Sequence, residues 1–180
     1  MPYVALITGA SAGLGTEFAR QLAAMRVDLV LVARDAARLE ALADELRAEF
    51  EVSVEVLAAD LTDHTSLELV ASRLSAEARP VDILINNAGF GVYEGFEASA
   101  IKDERGLHEL LSWAPLRLSH AAVPGMLSRG RGWILNVASA AAFMPSSSYG
   151  VAKASIVSLS RALNARYRSR GIRVSALCPG

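Results

Sequence analysis

The stretch YVALITGASAGLG, residues 3–15, joins a short apolar run to a glycine-rich turn. The apolar run at 3–8 predicts a β-strand, and helical periodicity begins at about residue 13. Gly9, Gly13 and Gly15 let the backbone turn sharply after the strand and approach a pyrophosphate group, whose charge the N-terminus of the next helix then stabilises. This order of elements predicts a phosphate-binding turn at the start of an α/β sheet.

Two features qualify that interpretation. The glycine spacing differs from the common G-x-G-x-x-G form. Leu14, Gly15 and Thr16 also stand where a nucleotide-triphosphate loop would need its Gly-Lys-Ser/Thr sequence. A glycine-rich turn with a purely structural role is the alternative.

The same alternation of apolar runs and helical stretches continues along the whole chain. Strands are predicted at 3–8, 28–33, 52–58, 82–86, 133–138 and 172–178. Helices are predicted at about 13–25, 35–49, 65–77, in a long segment ending near Leu127, and at about 147–170. Strands that are apolar on both faces and separated by helices form a parallel sheet covered on both sides. The prediction is a doubly wound α/β fold of Rossmann type, with residues 1–180 as a single domain.

Composition excludes several classes of function. The net charge is -1, whereas phosphate-backbone binding needs a strong basic excess, so nucleic acid is not expected as a partner. Neither a signal peptide nor a membrane span is indicated, and a cytoplasmic location is expected. Cys178 is the only cysteine and is expected to be a buried structural thiol. The three histidines share no metal-ligand spacing, so no metal site is predicted.

The end of the second predicted strand indicates which cofactor is preferred. A carboxylate here hydrogen-bonds the ribose hydroxyls of NAD, whereas an arginine accommodates the 2'-phosphate of NADP. The strand ends in Ala33 and Arg34, and Asp35 stands where the next helix needs an N-cap. The pattern favours NADP over NAD. A solvated surface charge is the alternative role for Arg34.

Tyr149 and Lys153 lie four residues apart in a predicted helix and therefore share a face. Only two of the 18 basic residues are lysines. An ordinary amphipathic helix would also carry such a pair.

Six motifs, in order and in approximate spacing, resemble the short-chain dehydrogenase/reductase family. They are TGASAGLG (8–15), ADLT (59–62), NNAG (86–89), Ser139, YGVAK (149–153) and CPG (178–180). The resemblance spans the chain and implies an NADP(H)-dependent oxidoreductase that interconverts an alcohol and a carbonyl, with a small-molecule substrate of unspecified identity. It implies a catalytic set of Ser139, Tyr149 and Lys153. It implies a cofactor site made by Gly9, Ser11, Gly13, Leu14, Gly15, Arg34, Asp60, Leu61, Asn87, Ala88, Gly89, Tyr149, Lys153, Pro179 and Gly180.

The resemblance gives the tyrosine–lysine pair a chemical purpose. A free tyrosine exchanges protons poorly near neutral pH, and a neighbouring ammonium favours the phenolate form. Lys153 could also reach the cofactor ribose, and Ser139 could donate a hydrogen bond to the substrate oxygen as its charge grows.

The sequence departs from the family pattern in two places. Ser139 and Tyr149 are ten residues apart, about three fewer than is common, which leaves Ser146, Ser147 and Ser148 as alternatives to Ser139. Leu111 stands where the family tends to have a helical asparagine that holds a water linked to the lysine, so the proton relay would be altered.

The resemblance also raises expectations about assembly and extent. Relatives of this type continue with a further helix and a seventh strand, which this chain is expected to lack. A homodimer or homotetramer through the two long helices is expected. The alternative function is a non-catalytic NADP-binding sensor or scaffold on the same fold.

Overall fold

Strands and helices alternate along the chain in the computed structural model, which describes residues 2–91, 95–144 and 147–180. The strands are β1 (Val4–Thr8), β2 (Asp28–Ala33), β3 (Val54–Ala58), β4 (Ile83–Asn86), β5 (Gly132–Val137) and β6 (Ile172–Leu177). The helices are α1 (Gly13–Ala24), α2 (Ala36–Phe50), α3 (His64–Ser75), α4 (Ile101–His108), α5 (Ala114–Arg129) and α6 (Ser148–Tyr167). A π-helical turn (Glu109–Trp113) joins α4 to α5, and short 3₁₀ turns span Ala140–Phe143 and Arg168–Arg170.

The six predicted strands are confirmed, and side-chain caps explain where two helices begin. Asp35 accepts a hydrogen bond of 3.0 Å from the backbone N–H of Arg38 and caps α2. Asp63 accepts one of 2.8 Å from Ser66 and caps α3 in the same way. Each cap satisfies a backbone donor that the first helical turn leaves unpaired.

All six strands are parallel and form one sheet in the order β3-β2-β1-β4-β5-β6. The chain builds outward from β1 to β3, returns to the centre as β4 and then builds outward to β6. The order therefore reverses between β1 and β4. In such sheets this reversal opens a crevice at the carboxyl ends of the strands, where ligands bind. The predicted doubly wound fold is confirmed.

Two apolar layers cover the sheet. Along β1, Val4 and Leu6 enter one layer, whereas Ala5 and Ile7 enter the other, as the period of two in a strand requires. Helices α3 and α5 and the end of α6 supply the first layer, and α1 and α2 supply the second. At β5 and β6 one face is less covered, because Trp133 and Leu177 remain 37% and 39% exposed.

Candidate functional site

A cleft of about 1190 Å³ lies at the carboxyl ends of the strands, where the strand order reverses. It is lined by 14 of the 16 predicted site residues. These are Gly9, Ser11, Leu14, Arg34, Asp60, Leu61, Asn87, Ala88, Gly89, Ser139, Tyr149, Lys153, Pro179 and Gly180. The fold thus brings together residues that lie up to 171 positions apart in the sequence.

Gly13 and Gly15 are the two predicted residues that do not line the cleft. Gly13 opens α1 with a φ of 57°, a left-handed conformation that favours glycine. Gly15 is buried against the glycine turn, and a Cβ there would overlap the carbonyl oxygen of Gly9. Both glycines therefore shape the turn from within.

The turn between β1 and α1 leaves the first helical N–H groups open to an anion. Ala12 is the N-cap of α1 and has no side chain that could cap it, and the first turn carries no acidic residue. A Cβ on Gly9 would lie 2.8 Å from Ala88 Cα, so the turn and the segment after β4 pack together only because residue 9 is glycine. An uncapped helix N-terminus behind a close-packed glycine turn suits a phosphate group.

Asn87 holds this turn in place. Its side-chain Nδ2 donates to the backbone oxygens of Thr8 and Gly9, at 3.0 Å and 3.1 Å. Its backbone N–H and that of Ala88 donate to the Thr8 hydroxyl. The predicted role of Asn87 was to line the cleft, and the structure adds that it ties β1 to β4.

Two arginines mark the end of the cleft beside β2. Arg34 and Arg38 are exposed and line it, whereas the Asp35 carboxylate is engaged as the cap of α2 and pairs with Arg38 Nε at 3.3 Å. The sequence interpretation of Asp35 as an N-cap is confirmed. It missed Arg38, although a basic residue in the first turn of the next helix was a visible signal.

On the same side of the crevice, Asp60 follows β3, the neighbour of β2, and shapes its own loop. Its Oδ1 accepts hydrogen bonds from the backbone N–H and the hydroxyl of Thr62, at 2.9 Å and 2.8 Å. Thr62 also lines the cleft and was not among the predicted site residues.

Tyr149 and Lys153 occupy the first turns of α6 and face the opposite part of the cleft. Lys153 is only 5% exposed, and its Nζ donates a 2.7 Å hydrogen bond to the Val137 carbonyl oxygen at the end of β5. Burial disfavours the charged ammonium and lowers the pKa of Lys153 from 10.5 to about 8, a shift that the neighbouring Cys178 partly opposes. Cys178 itself is half-buried, in contrast to the predicted buried thiol.

Ser139 follows β5 and also lines the cleft. Its hydroxyl oxygen accepts a 3.2 Å hydrogen bond from Ala141 N–H and caps the 3₁₀ turn, which fixes the side chain. Among the alternatives, Ser147 caps α6 by accepting from Gly150 N–H, and the hydroxyl of Ser148 lies near Glu104. Ser146 lies outside the described residues.

Leu111 lies in the π turn and is 1% exposed. It packs with Leu107, Ala152 and Tyr149. A Cβ on Gly89 would lie 3.0 Å from a Leu111 methyl group and 3.8 Å from Lys153 Nζ. Leu111 therefore adds an apolar wall beside the lysine, at the position where the family resemblance predicts an amide.

A buried polar network that was not predicted from the sequence lies beneath the site. Asn86 and Asn136 are paired across β4 and β5, and Asn86 Nδ2 donates to Asn136 Oδ1 at 2.7 Å. Asn136 Nδ2 then donates to the hydroxyl of Ser160 on α6 at 2.9 Å. The network fastens α6 to the sheet below Lys153. The available signal was an asparagine at the end of the fourth predicted strand and another inside the fifth.

The described parts of the chain contain no helix that is long and apolar enough to cross a membrane. Within the same residues, no group of three or more histidine, cysteine or acidic side chains could hold a metal ion.

Comparison with known proteins finds relatives that match nearly the whole of this chain. A sequence model of the short chain dehydrogenase family matches residues 3–180. Galactitol 2-dehydrogenase (L-tagatose-forming) from Cereibacter sphaeroides is 34% identical over 189 residues, which cover 98% of this chain and 70% of the relative. The chain spans 53% to 77% of the length of the first four curated relatives that it matches.

Two solved structures match nearly the whole chain. A short-chain dehydrogenase from Sphingobium yanoikuyae in complex with NADPH is 43% identical, with a TM-score of 0.96 over 99% of this chain and 70% of that one. The bulky-bulky ketone specific alcohol dehydrogenase from Comamonas testosteroni is 39% identical, with a TM-score of 0.96 over 99% of this chain and 72% of that one.

Proposed function

The chain belongs to the short-chain dehydrogenase family, and we propose that it interconverts an alcohol and a carbonyl compound with NADP(H), using Tyr149 as the general acid and base. One observation carries the proposal: Tyr149 and the buried Lys153 share a helical face that opens into the cleft at the sheet reversal.

The shape of the cleft supports a dinucleotide as the cofactor. The uncapped N-terminus of α1 suits the pyrophosphate, and the close packing at Gly9 leaves the backbone accessible to it. Bound NADPH would supply the hydride for carbonyl reduction. Gly89, Pro179 and Gly180, which line the part of the cleft near Lys153, would enclose the nicotinamide.

The preference for NADP over NAD rests on charge at the end of β2. Arg34 and Arg38 provide two guanidinium groups for a 2'-phosphate. The one carboxylate beside them, that of Asp35, is engaged as a helix cap and would repel a phosphate less than a free carboxylate would. The NADPH bound to the Sphingobium relative is consistent with this preference.

The proposed proton chemistry uses three side chains. In reduction, the Tyr149 hydroxyl gives its proton to the carbonyl oxygen, and the Lys153 ammonium stabilises the phenolate that remains. Lys153 donates one of its three N–H groups to the Val137 carbonyl oxygen, so two remain for the tyrosine and the cofactor ribose. The Ser139 hydroxyl accepts from Ala141 N–H and keeps its own proton for the substrate oxygen.

A non-catalytic NADP sensor is the second candidate, and Leu111 is the observation that favours it. The Leu111 side chain near Lys153 cannot hydrogen-bond a water and so cannot hold a proton relay, which a protein that only binds NADP would not need.

Oxidation of NADPH by a panel of ketones and aldehydes separates the two candidates. An oxidoreductase consumes NADPH with at least one carbonyl compound, and the product alcohol drives NADP reduction in the reverse assay. A protein that binds NADPH but oxidises it with no member of the panel is a sensor or scaffold, and the proposed reaction is then wrong.

We also propose that the chain assembles as a homodimer or homotetramer through α5 and α6. Trp113 and Leu116 are 50% and 41% exposed, and they line an apolar depression of about 430 Å³ together with Ile156 and Leu159 of α6. Burying such a surface against a second copy would remove exposed apolar area from water.

A further inference from the structure

Glu104 is a buried carboxylate that the proposed reaction does not use. It lies in the first turn of α4 and is 8% exposed, whereas its neighbour Asp103 is exposed. The helix dipole favours an acidic residue at this end, and Asp103 already meets that preference without burial. Burying a carboxylate costs free energy unless it is hydrogen-bonded, so its partners are informative.

Two serine hydroxyls from different parts of the chain approach this carboxylate. Ser99 Oγ donates to Glu104 Oε1 at 2.7 Å. The hydroxyls of Ser148 and Ser99 stabilise the carboxylate form and lower the pKa of Glu104 below its usual value. The other carboxylate oxygen, Oε2, is buried and has no hydrogen-bond partner among the described residues.

The two serines belong to different segments of the chain, each of which continues from residues that line the cleft. Ser99 lies in the segment 95–100, which follows β4 and the cleft-lining residues 87–91. Ser148 begins α6 and directly precedes Tyr149. Below Glu104, Leu107 packs against Ala152 and so holds α4 to α6. The contact between α4 and α6 thus has a polar part at Glu104 and an apolar part at Leu107, and the apolar part also packs against Tyr149.

We propose that Glu104 is a positioning residue that ties the segment after β4 to the first turn of α6 and thereby fixes the placement of Tyr149 relative to the substrate. The inference rests on the proposed function. Glu104 does not line the cleft, so it acts through Ser99 and Ser148 and not by contact with the reacting atoms.

The test replaces Glu104 by glutamine, which keeps the size but removes the charge. Asp103→Asn is the matched control, because it removes the same charge from the same helix turn at an exposed position. Steady-state kinetics with an accepted carbonyl, NADPH titration and hydrogen exchange of the backbone amides are measured for both variants. If Glu104→Gln does not fold, Ser99→Ala and Ser148→Ala are measured instead, since each removes one partner and leaves the carboxylate.

Glu104→Gln is expected to lower kcat about tenfold, as the loss of charged hydrogen bonds predicts, while the Kd for NADPH stays within about twofold. Hydrogen exchange of the backbone amides is expected to become faster in both segments, 97–100 and 148–151, in Glu104→Gln. In Asp103→Asn it is expected to stay unchanged in both. Unchanged kcat, or faster exchange in only one of the two segments, overturns the positioning role. If the unmodified protein reduces no carbonyl, the proposed function fails, and the exchange data alone then decide whether Glu104 couples the two segments.

Discussion

The ammonium nitrogen of Lys153 lies 5.6 Å from the centre of the Tyr149 ring, one helical turn further along α6. The same nitrogen donates to the Val137 carbonyl oxygen, which anchors it to the end of β5. The pair is therefore fixed relative to the sheet edge that carries Ser139. A flexible surface lysine could not hold a cation beside the phenol in this way.

The buried ammonium of Lys153 is expected to lower the free energy of unfolding at neutral pH. Its pKa of about 8 in the folded chain lies below its ordinary value of 10.5, so the unfolded chain binds more protons between these pH values. The free energy of unfolding of the unmodified protein therefore rises with pH across this window. The Lys153→Met variant has no titrating group at this position, so its free energy of unfolding does not rise in this way. The free energy of unfolding of Lys153→Met minus that of the unmodified protein should therefore fall by about 3 kcal/mol between pH 7 and pH 10.5.

Urea unfolding of both proteins at pH 7 and pH 10.5 measures this difference. Lys102→Met is the control, because Lys102 is exposed. A stability difference between Lys153→Met and the unmodified protein that does not change with pH would show that the ammonium is not buried in solution.

Arg34→Ala is expected to weaken NADPH binding by about tenfold and to leave the Kd for NADH within about twofold. The guanidinium would make a charge-assisted contact to the 2'-phosphate, which NADH lacks. Arg161→Ala removes another exposed arginine, from α6, and serves as the control. Fluorescence titration with both cofactors checks the prediction, and equal Kd values for NADPH and NADH in the unmodified protein would contradict it.

Much of the fold could be predicted because strand periodicity and helix caps are local signals. The six strands, the parallel arrangement and the cap role of Asp35 all follow from residues close together in sequence. The position of the cleft could be predicted because parallel sheets of this kind bind ligands beyond the carboxyl ends of their strands.

The features that were missed depend on contacts between distant segments. The π turn that presents Leu111 has no local sequence signature, since its residues read as ordinary helix. The pairing of Asn86 with Asn136 requires the β4–β5 register, and the burial of Glu104 requires α4 to lie against α6. Such placements are set by tertiary packing, which periodicity does not encode.

Trp113→Arg is expected to shift the protein toward monomer. The exposed indole would lie in the proposed contact between α5 and α6 of two copies, where the charge of an arginine would have to be removed from water. Leu69→Arg, at an exposed apolar position on α3, is the control. Sedimentation velocity measures the change, and a monomeric unmodified protein, or equal effects of both substitutions, would contradict the proposed interface.

The most direct test of the proposed reaction is the turnover of Tyr149→Phe, measured as NADPH oxidation with a carbonyl that the unmodified protein reduces. The substitution keeps the ring packed against Leu107 and Leu111 and removes only the hydroxyl. Turnover should fall about 100-fold or more while the Kd for NADPH stays within about twofold, and Tyr167→Phe at the far end of α6 should keep normal turnover. Turnover of Tyr149→Phe close to that of the unmodified protein would show that another group supplies the proton.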